Sequence, residues 1–372
     1  MALFSSFFGS KEEPRALGID IGSSAIKIVQ LKKKNSQAVL ETYGELSLGP
    51  YAGVTIGQAA SLPTDKISQA VSDLMKEKEV NVTTNKCGLS IPFASSLVSL
   101  IEMPDVSQAQ LASMVPFEAR KYIPVPISEV MLDWSVIPKT ELRSEPEPEE
   151  LGSTHKEPVN KVDVLLVAIH NETIARYQEI VTKANLEAGF FEIEIFSTMR
   201  SVLDEALKPV MIMDMGAAST KLYIIERGII RSSHTINRGS QDITGAISKA
   251  LGISPEEAEI LKRKSGLLGE NPSLASAVTL TLDYIFSDVN STLLAFEKKY
   301  NRTVSKAILV GGGSALKGLL PLAKESFKTE VVIGDPFSKV SSPAFLQNIL
   351  KETGPEFAVA IGLALRKLAE SA

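Results

Sequence analysis

Apolar and polar positions alternate with the period of a β-strand through LGIDIGSSAIKIVQL, residues 17–31, and again through MIMDMGAASTKLYII, residues 211–225. Each apolar run ends in Asp-x-Gly, a small polar turn follows, and β-branched residues resume. Asp20 and Asp214 hold matching places, as do Gly22 and Gly216. In the first copy Gly22, Ser23 and Ser24 form a tight turn whose bare N–H groups can approach a phosphate closely. Lys27 falls on the face of Ala25 and Val29, where an ammonium among apolar neighbours calls for an anion. Asp20 is placed to hold Mg²⁺ through water. One copy alone reads equally well as an ordinary hairpin with a surface Asp and a snorkelling Lys. Its repetition favours a duplicated phosphate clamp.

Helical periodicity marks residues 64–79, with Ile67, Val71 and Leu74 inward and Thr64 as N-cap. From Lys86 the pattern is strand-like (CGLSIPFASSLVSLIEMP), then helix-like across Pro116, then two strands, VMLDWSVI and VDVLLVAI. Between those strands lies TELRSEPEPEELGSTHKEPVN, whose Pro, Glu and Ser content predicts an exposed mobile hairpin loop. Residues 86–171 are thus expected to form a strand–helix–strand–strand module inserted in a larger domain. A helix capped by Asn171, a strand EIEIF and a helix STMRSVLDEAL lead to the second hairpin, which is followed by a Gly turn and a helix from about Asp242. Ser254, Pro255 and Glu257 form a capping-box helix start, and a long amphipathic helix occupies 274–300. AILVGGGSALKGLL runs a strand into Gly311, Gly312 and Gly313, a turn that either lies flat against a base or ribose or simply joins strand to helix. The last helix, PEFAVAIGLALRKL, carries Ala358, Ala360, Gly362 and Ala364, small enough for close crossing between two halves.

Composition narrows the class. A length of 372 residues suffices for two or more domains, and a net charge of −5 argues against nucleic-acid binding by charge. Cys87 is the sole cysteine, which excludes an internal disulfide and fits a reducing compartment. His155, His170 and His234 lack metal-ligand spacing. No apolar run is long enough to span a bilayer, and no signal peptide is evident. Leu3, Phe4, Phe7 and Phe8 share a face of a short helix, expected to pack on protein rather than lipid. A P-loop, a Rossmann fingerprint, a nucleophile elbow and a zinc-protease motif are all missing from the sequence.

Two Asp-x-Gly hairpins, a late triple glycine and a terminal small-residue helix resemble the actin-like ATPase superfamily. Within it GIDIGSSAIKIV, the inserted module and RGSQDIT are similar to the cell-division protein FtsA and, more closely, to type IV pilus proteins of the PilM type. The resemblance implies an α/β, two-lobed fold with duplicated cores: residues 1–85 with 172–206, and 207–238 with 303–372. It also implies the inserted module at 86–171 and a helical subdomain at 239–302. It implies ATP and Mg²⁺ as cofactors. Asp20, Gly22, Ser23, Ser24 and Lys27 match the first phosphate motif, and Asp214, Gly216 and Thr220 the second. Gly311, Gly312 and Gly313 match the adenosine motif. Glu259 and Lys262 match the pair approaching ribose and base, or else form a plain surface ion pair one turn apart. Asp20 and Asp214 would face the metal. Glu194 is the candidate for positioning catalytic water. The turn DMGAAST is poor in glycine and Ser197 stands where relatives carry a Glu-Pro wording, so ATP hydrolysis is expected to be slow or absent.

By resemblance the expected function is an ATP-binding cytoplasmic scaffold of the pilus inner-membrane platform. Its partner would be the cytoplasmic N-terminal peptide of a PilN-like membrane protein, held between the first lobe and the module by residues from roughly 86–135. Other platform components are expected as further partners, and membrane association would run through the partner. The alternatives are an FtsA-like filament former and an actin-fold small-molecule kinase. The sequence ends in RKLAESA without an amphipathic tail of the FtsA kind, and nothing follows that would form a chaperone peptide-binding domain.

Overall fold

The computed structural model describes residues 13–137, 161–204 and 207–371. The acidic segment at 140–160, His155 and the apolar positions Leu3, Phe4, Phe7 and Phe8 lie outside the described residues.

The duplication seen in two hairpins extends to whole sheets. The first lobe begins with strands β1 (Arg15–Ile21), β2 (Ala25–Lys34) and β3 (Gln37–Ser47), joined antiparallel. Strands β4 (Lys86–Ile91) and β8 (Glu187–Ile193) add parallel to β1, giving the order β3-β2-β1-β4-β8. The second lobe repeats this plan. Strands β9 (Val210–Met215), β10 (Thr220–Glu226) and β11 (Ile229–Ile236) are antiparallel, and β12 (Lys306–Val310) and β13 (Glu330–Ile333) extend them in parallel. Its order is β11-β10-β9-β12-β13.

Both sheets are buried on both faces. Leu17, Ile19, Ile26 and Ile28 pack with Ile67, Val71 and Leu74 of α1 (Thr64–Lys76) and Ile174 and Ile180 of α3 (Asn171–Lys183). On the other face Ala16, Val29 and Leu31 meet Ala360 and Ala364 of the last helix, α10 (Ala358–Glu370). The second sheet sets Met211, Met213, Leu222 and Ile224 against α5 (Ser240–Leu251) and the long α7 (Pro272–Tyr300). Its other face meets Ile195 of α4 (Glu194–Val202) and Ala358 of α10. Helices α4 and α10 therefore lie between the two sheets. Of the remaining helices, α6 (Pro255–Ser265) borders the cleft, α8 (Leu319–Phe327) packs in the second-lobe core, and α9 (Gln347–Thr353) precedes α10.

Several sequence expectations shift by a few residues for physical reasons. The strand-like stretch from Lys86 is two strands, broken at Pro92: β4 joins the first-lobe sheet, and β5 (Ser96–Pro104) opens the module. Strands β5, β7 (Lys161–His170) and β6 (Val130–Ile137) make a separate antiparallel sheet covered by α2 (Gln108–Ala119), which tolerates Pro116 inside it. Thr64 and Asn171 are the first residues of their helices rather than caps. Pro63 and His170 take the extended cap positions, and the Asn171 amide donates to the Ser128 carbonyl. The capping box at Ser254 and Glu257 forms as expected. The helix after the second hairpin starts at Ser240, and the chain beyond the triple glycine makes a 3₁₀ turn, Gly312–Ala315, before α8. EIEIF does not stay extended: the strand ends at Ile193 and Glu194 is the first residue of α4.

Candidate functional site

The two hairpins have one local geometry. In the first the Gly22 N–H donates to the Ala25 carbonyl at 3.0 Å, and in the second the Gly216 N–H donates to the Ser219 carbonyl at 3.0 Å. Asp20 lies opposite Lys27 across β1 and β2, and Asp214 lies opposite Lys221 across β9 and β10. The turns face one another across a single cavity of about 930 Å³, within the range of cofactor sites. Asp20, Gly22, Ser23, Ser24 and Lys27 line it from one lobe, and Asp214 and Gly216 from the other. Glu194, Glu259, Lys262, Gly311, Gly312 and Gly313 line the same cavity.

Thr220 is not among its lining. The residue at the corresponding step of the first hairpin is Ile26, so Thr220 points to the opposite face of the sheet. There it is fully buried, and its hydroxyl donates to the Arg238 carbonyl at 2.9 Å. Lys221, one residue on, reaches the cavity instead. The spacing Asp-x-Gly-x₄-Lys, present in both hairpins, was the signal for it.

The third strand of each sheet decides what each lysine meets. β3 places Glu45 beside Lys27, and the two pair at 3.4 Å. Burial alone would lower Lys27, but Glu45, Glu356 and Asp20 outweigh it and hold the ammonium above its ordinary range. β11 offers Lys221 only Thr235. Lys221 turns instead to Glu194 at 2.7 Å and Asp214 at 3.5 Å. Burial opposes its charge, yet Glu194, Asp214 and Asp20 together keep it well above the ordinary lysine range.

Asp20 is a carboxylate that its surroundings compensate poorly. Burial, followed by the charge of Glu194, pushes it up from 3.8 to about 6, against the pull of Lys27, Ser90 and Lys221. Ser90, buried on β4, donates to Asp20 Oδ1 at 2.8 Å. Both oxygens of Glu194 are engaged: Oε1 accepts the Phe93 N–H at 2.6 Å and Oε2 meets Lys221.

On the far wall Glu259 and Lys262 form a buried pair at 2.7 Å, not a surface one. Thr244 donates to Glu259 at 2.6 Å and Arg263 at 2.7 Å. Burial raises Glu259, but Lys262 and these donors outweigh it and hold the carboxylate below its usual range. The first lobe reaches across to this wall. Gly57, at φ +88°, has no room for a side chain: a Cβ there would sit 2.6 Å from Glu259 Oε1. The Ala59 N–H donates to Gln241 of α5 at 3.0 Å. Gly311, at φ +82°, abuts Asp214 and Met215, whereas a Cβ on Gly312 would meet nothing closer than Glu356 at 3.6 Å. Glu356 is raised by burial and by Glu45. Ser90, Glu45 and Glu356 carry no motif. They arrive from β4, β3 and the turn before α10, and only the fold brings Glu45 and Glu356 to the cavity and Ser90 to Asp20.

The profile described as type IV pilus assembly protein PilM matches residues 18–368. The chain belongs to this family. Beyond the PilM family, it is similar to cell division protein FtsA of Escherichia coli (strain K12), at 22% identity over 231 residues, or 54% of this chain. It spans about half the length of that relative, 54%. The FtsA of Neisseria meningitidis serogroup B is 24% identical over 381 aligned positions, covering 93% of this chain and 88% of that protein. A solved PilM-PilN type IV pilus biogenesis complex superimposes with a TM-score of 0.78 at 24% identity, covering 95% of this chain and 98% of that one. The ethanolamine utilization protein EutJ of Carboxydothermus hydrogenoformans gives a TM-score of 0.54 at 15% identity, covering 95% and 89%. MreB 5 of Spiroplasma citri, solved with AMPPNP, gives 0.50 at 11% identity, covering 96% and 97%. The fold of this chain is the actin-like ATPase fold, with duplicated cores and an inserted module.

Proposed function

We propose that this protein is an ATP-binding scaffold of a type IV pilus inner-membrane assembly platform. The observation that carries the nucleotide half is convergence. Two hairpin turns, the triple-glycine turn and the Glu259–Lys262 pair come from distant parts of the chain and line one cavity between the lobes. Such turns present backbone N–H groups to phosphates, and Gly312 offers the cavity a wall without a side chain, where a planar group would lie.

The residues also fit Mg²⁺. Among the described residues no cluster of three or more His, Cys, Asp or Glu is set to ligate a metal directly. Mg²⁺ keeps much of its water shell and needs only one or two carboxylates. Asp20 and Asp214 would hold that shell, and the ion would orient the triphosphate. Asp20, pushed up by burial and Glu194, is a carboxylate that a nearby cation relieves. Lys27 would bind phosphate oxygens, and Ser90 would orient Asp20. Glu194, proposed from sequence for water activation, is held by Phe93 and Lys221, which favours a scaffold with slow or no turnover.

The partner half rests on family membership and on the fold shared with a PilM-PilN complex. The ligand would be the cytoplasmic N-terminal peptide of a PilN-like membrane protein, bound between the first lobe and the module. Exposed Phe117, Tyr122 and Met131 on the module supply apolar contacts for it. The protein would then sit on the inner face of the cytoplasmic membrane through that partner. No helix among the described residues is long and apolar enough to cross a membrane.

Calorimetry tests both halves. Asp20→Ala with Lys27→Ala should weaken ATP binding by at least about tenfold with an unchanged circular dichroism spectrum; unaltered affinity means the site is misplaced. A PilN-like N-terminal peptide that gives no binding heat removes the partner half. The similarity to FtsA keeps a filament-forming reading testable by sedimentation with ATP.

A further inference from the structure

We propose that Lys221 is a resident cation of the nucleotide site, held between Glu194 and Asp214, so that nucleotide affinity depends only weakly on Mg²⁺. This rests on the reading of the cavity as a nucleotide site.

The duplicated hairpins make the case by comparison. Lys27 and Lys221 occupy the same step of the same turn, opposite Asp20 and Asp214. Lys27 is drawn sideways to Glu45 of the neighbouring strand. Lys221 has no acidic neighbour on its own sheet beyond Asp214, because β11 presents Thr235. Its ammonium bridges the two lobes: Asp214 belongs to β9 of the second, and Glu194 is the first residue of α4, directly after the last strand of the first. Asp20 lies near enough to feel the same charge. One ammonium thus pairs with two carboxylates and acts electrostatically on a third, and all three line the cavity.

Three carboxylates in the cavity repel a triphosphate, and Lys27, already paired with Glu45, offsets only part of that repulsion. Here the positive charge is already present, largely desolvated, and held by a short contact to Glu194 at 2.7 Å and a longer one to Asp214 at 3.5 Å. It lowers the repulsion whether or not metal accompanies the nucleotide. It also fills the space between Glu194 and Asp214, so the empty protein should show no affinity for a bare divalent ion.

Two measurements on the full chain test this. ATP binding is followed by calorimetry with Mg²⁺ and with EDTA, for the wild type, Lys221→Met and Lys221→Arg. Mn²⁺ alone, without nucleotide, is titrated by electron paramagnetic resonance. Close charge pairs commonly couple strongly enough to shift affinity by tenfold or more. The wild type and Lys221→Arg should therefore lose less than about threefold on chelation, and Lys221→Met at least about tenfold. Lys221→Met should bind Mn²⁺ where the wild type does not, an outcome that a merely structural lysine would not produce. If Lys221→Met fails to fold, the wild type decides alone: ATP binding only with Mg²⁺ overturns the inference while leaving the nucleotide site standing. An equal chelation loss in wild type and Lys221→Met also overturns it. Absence of ATP binding in both media defeats the inference together with the site.

Discussion

The crossing of β1 and α10 permits a sharp test of how the lobes are held. A methyl group on Gly18 would lie 2.7 Å from the Ala364 nitrogen and closer still to the Ala360 carbonyl oxygen. Unbonded heavy atoms prefer about 3.5–4.0 Å, so α10 would have to retreat by roughly 1 Å. Its opposite face is pinned too. Gly362 is packed so closely on α4 that a Cβ there would sit 2.8 Å from the Ser197 Cα. Retreat from β1 therefore drives α10 into α4. Overpacking against side chains costs about 1–3 kcal/mol, and backbone obstacles on both sides put Gly18→Ala at the top of that range, about 3 kcal/mol. Urea unfolding followed by circular dichroism should show a lower midpoint with an unchanged slope. Because α4 begins with Glu194 and the turn before α10 carries Glu356, ATP affinity should fall as well. A stability loss below about 1 kcal/mol would refute the clamped-helix account.

Asp20 governs a pH dependence. Its folded value of about 6 lies above its ordinary 3.8, so between those values the folded protein holds a proton the unfolded chain has released. Stability should fall as pH rises through that window and level off above it. Asp20→Asn should remove Asp20's share of the fall and stabilise the protein by about 3 kcal/mol at neutral pH, and parallel profiles for the two proteins would contradict this. Gly57→Ala should weaken ATP binding several-fold while costing only about 1–3 kcal/mol of stability, since the methyl group meets Glu259 and a positive φ is strained; unchanged calorimetric affinity would show that the cross-cleft contact is idle. Glu192 is buried and holds Arg200 at 2.7 Å and Arg366 at 2.7 Å, joining β8, α4 and α10. Glu192→Ala should cost about 3–5 kcal/mol in chemical denaturation, and a loss near zero would mean the two arginines find other partners.

Much of the site was legible because a phosphate-binding hairpin is local. Asp20, Gly22, Ser23, Ser24 and Lys27 fall within eight residues of one another, and the repeat at Asp214 and Gly216 has the same local form. The strand period that placed Lys27 on the Val29 face also identifies Thr220 as facing away, once it is counted from Asp214 in the same register. The small residues at 358–364 likewise announced a close crossing, since only they let backbones touch. Glu194 was harder. Its strand-like surroundings end where the side chain captures the Phe93 N–H and Lys221, contacts from 101 and 27 residues away in the chain.

By itself, the order of residues determined which segments form turns, strands and helices, and that two such turns were built alike. Tertiary structure alone decided what each turn's lysine would face. Hairpin geometry depends on neighbours in the chain, whereas the charge beside Lys27 or Lys221 depends on which strand or helix packs next to it. Glu45 stands beside one and Glu194 beside the other. Identical local motifs were thereby given different electrostatic partners, because partners come from packing and packing is set by the whole buried surface.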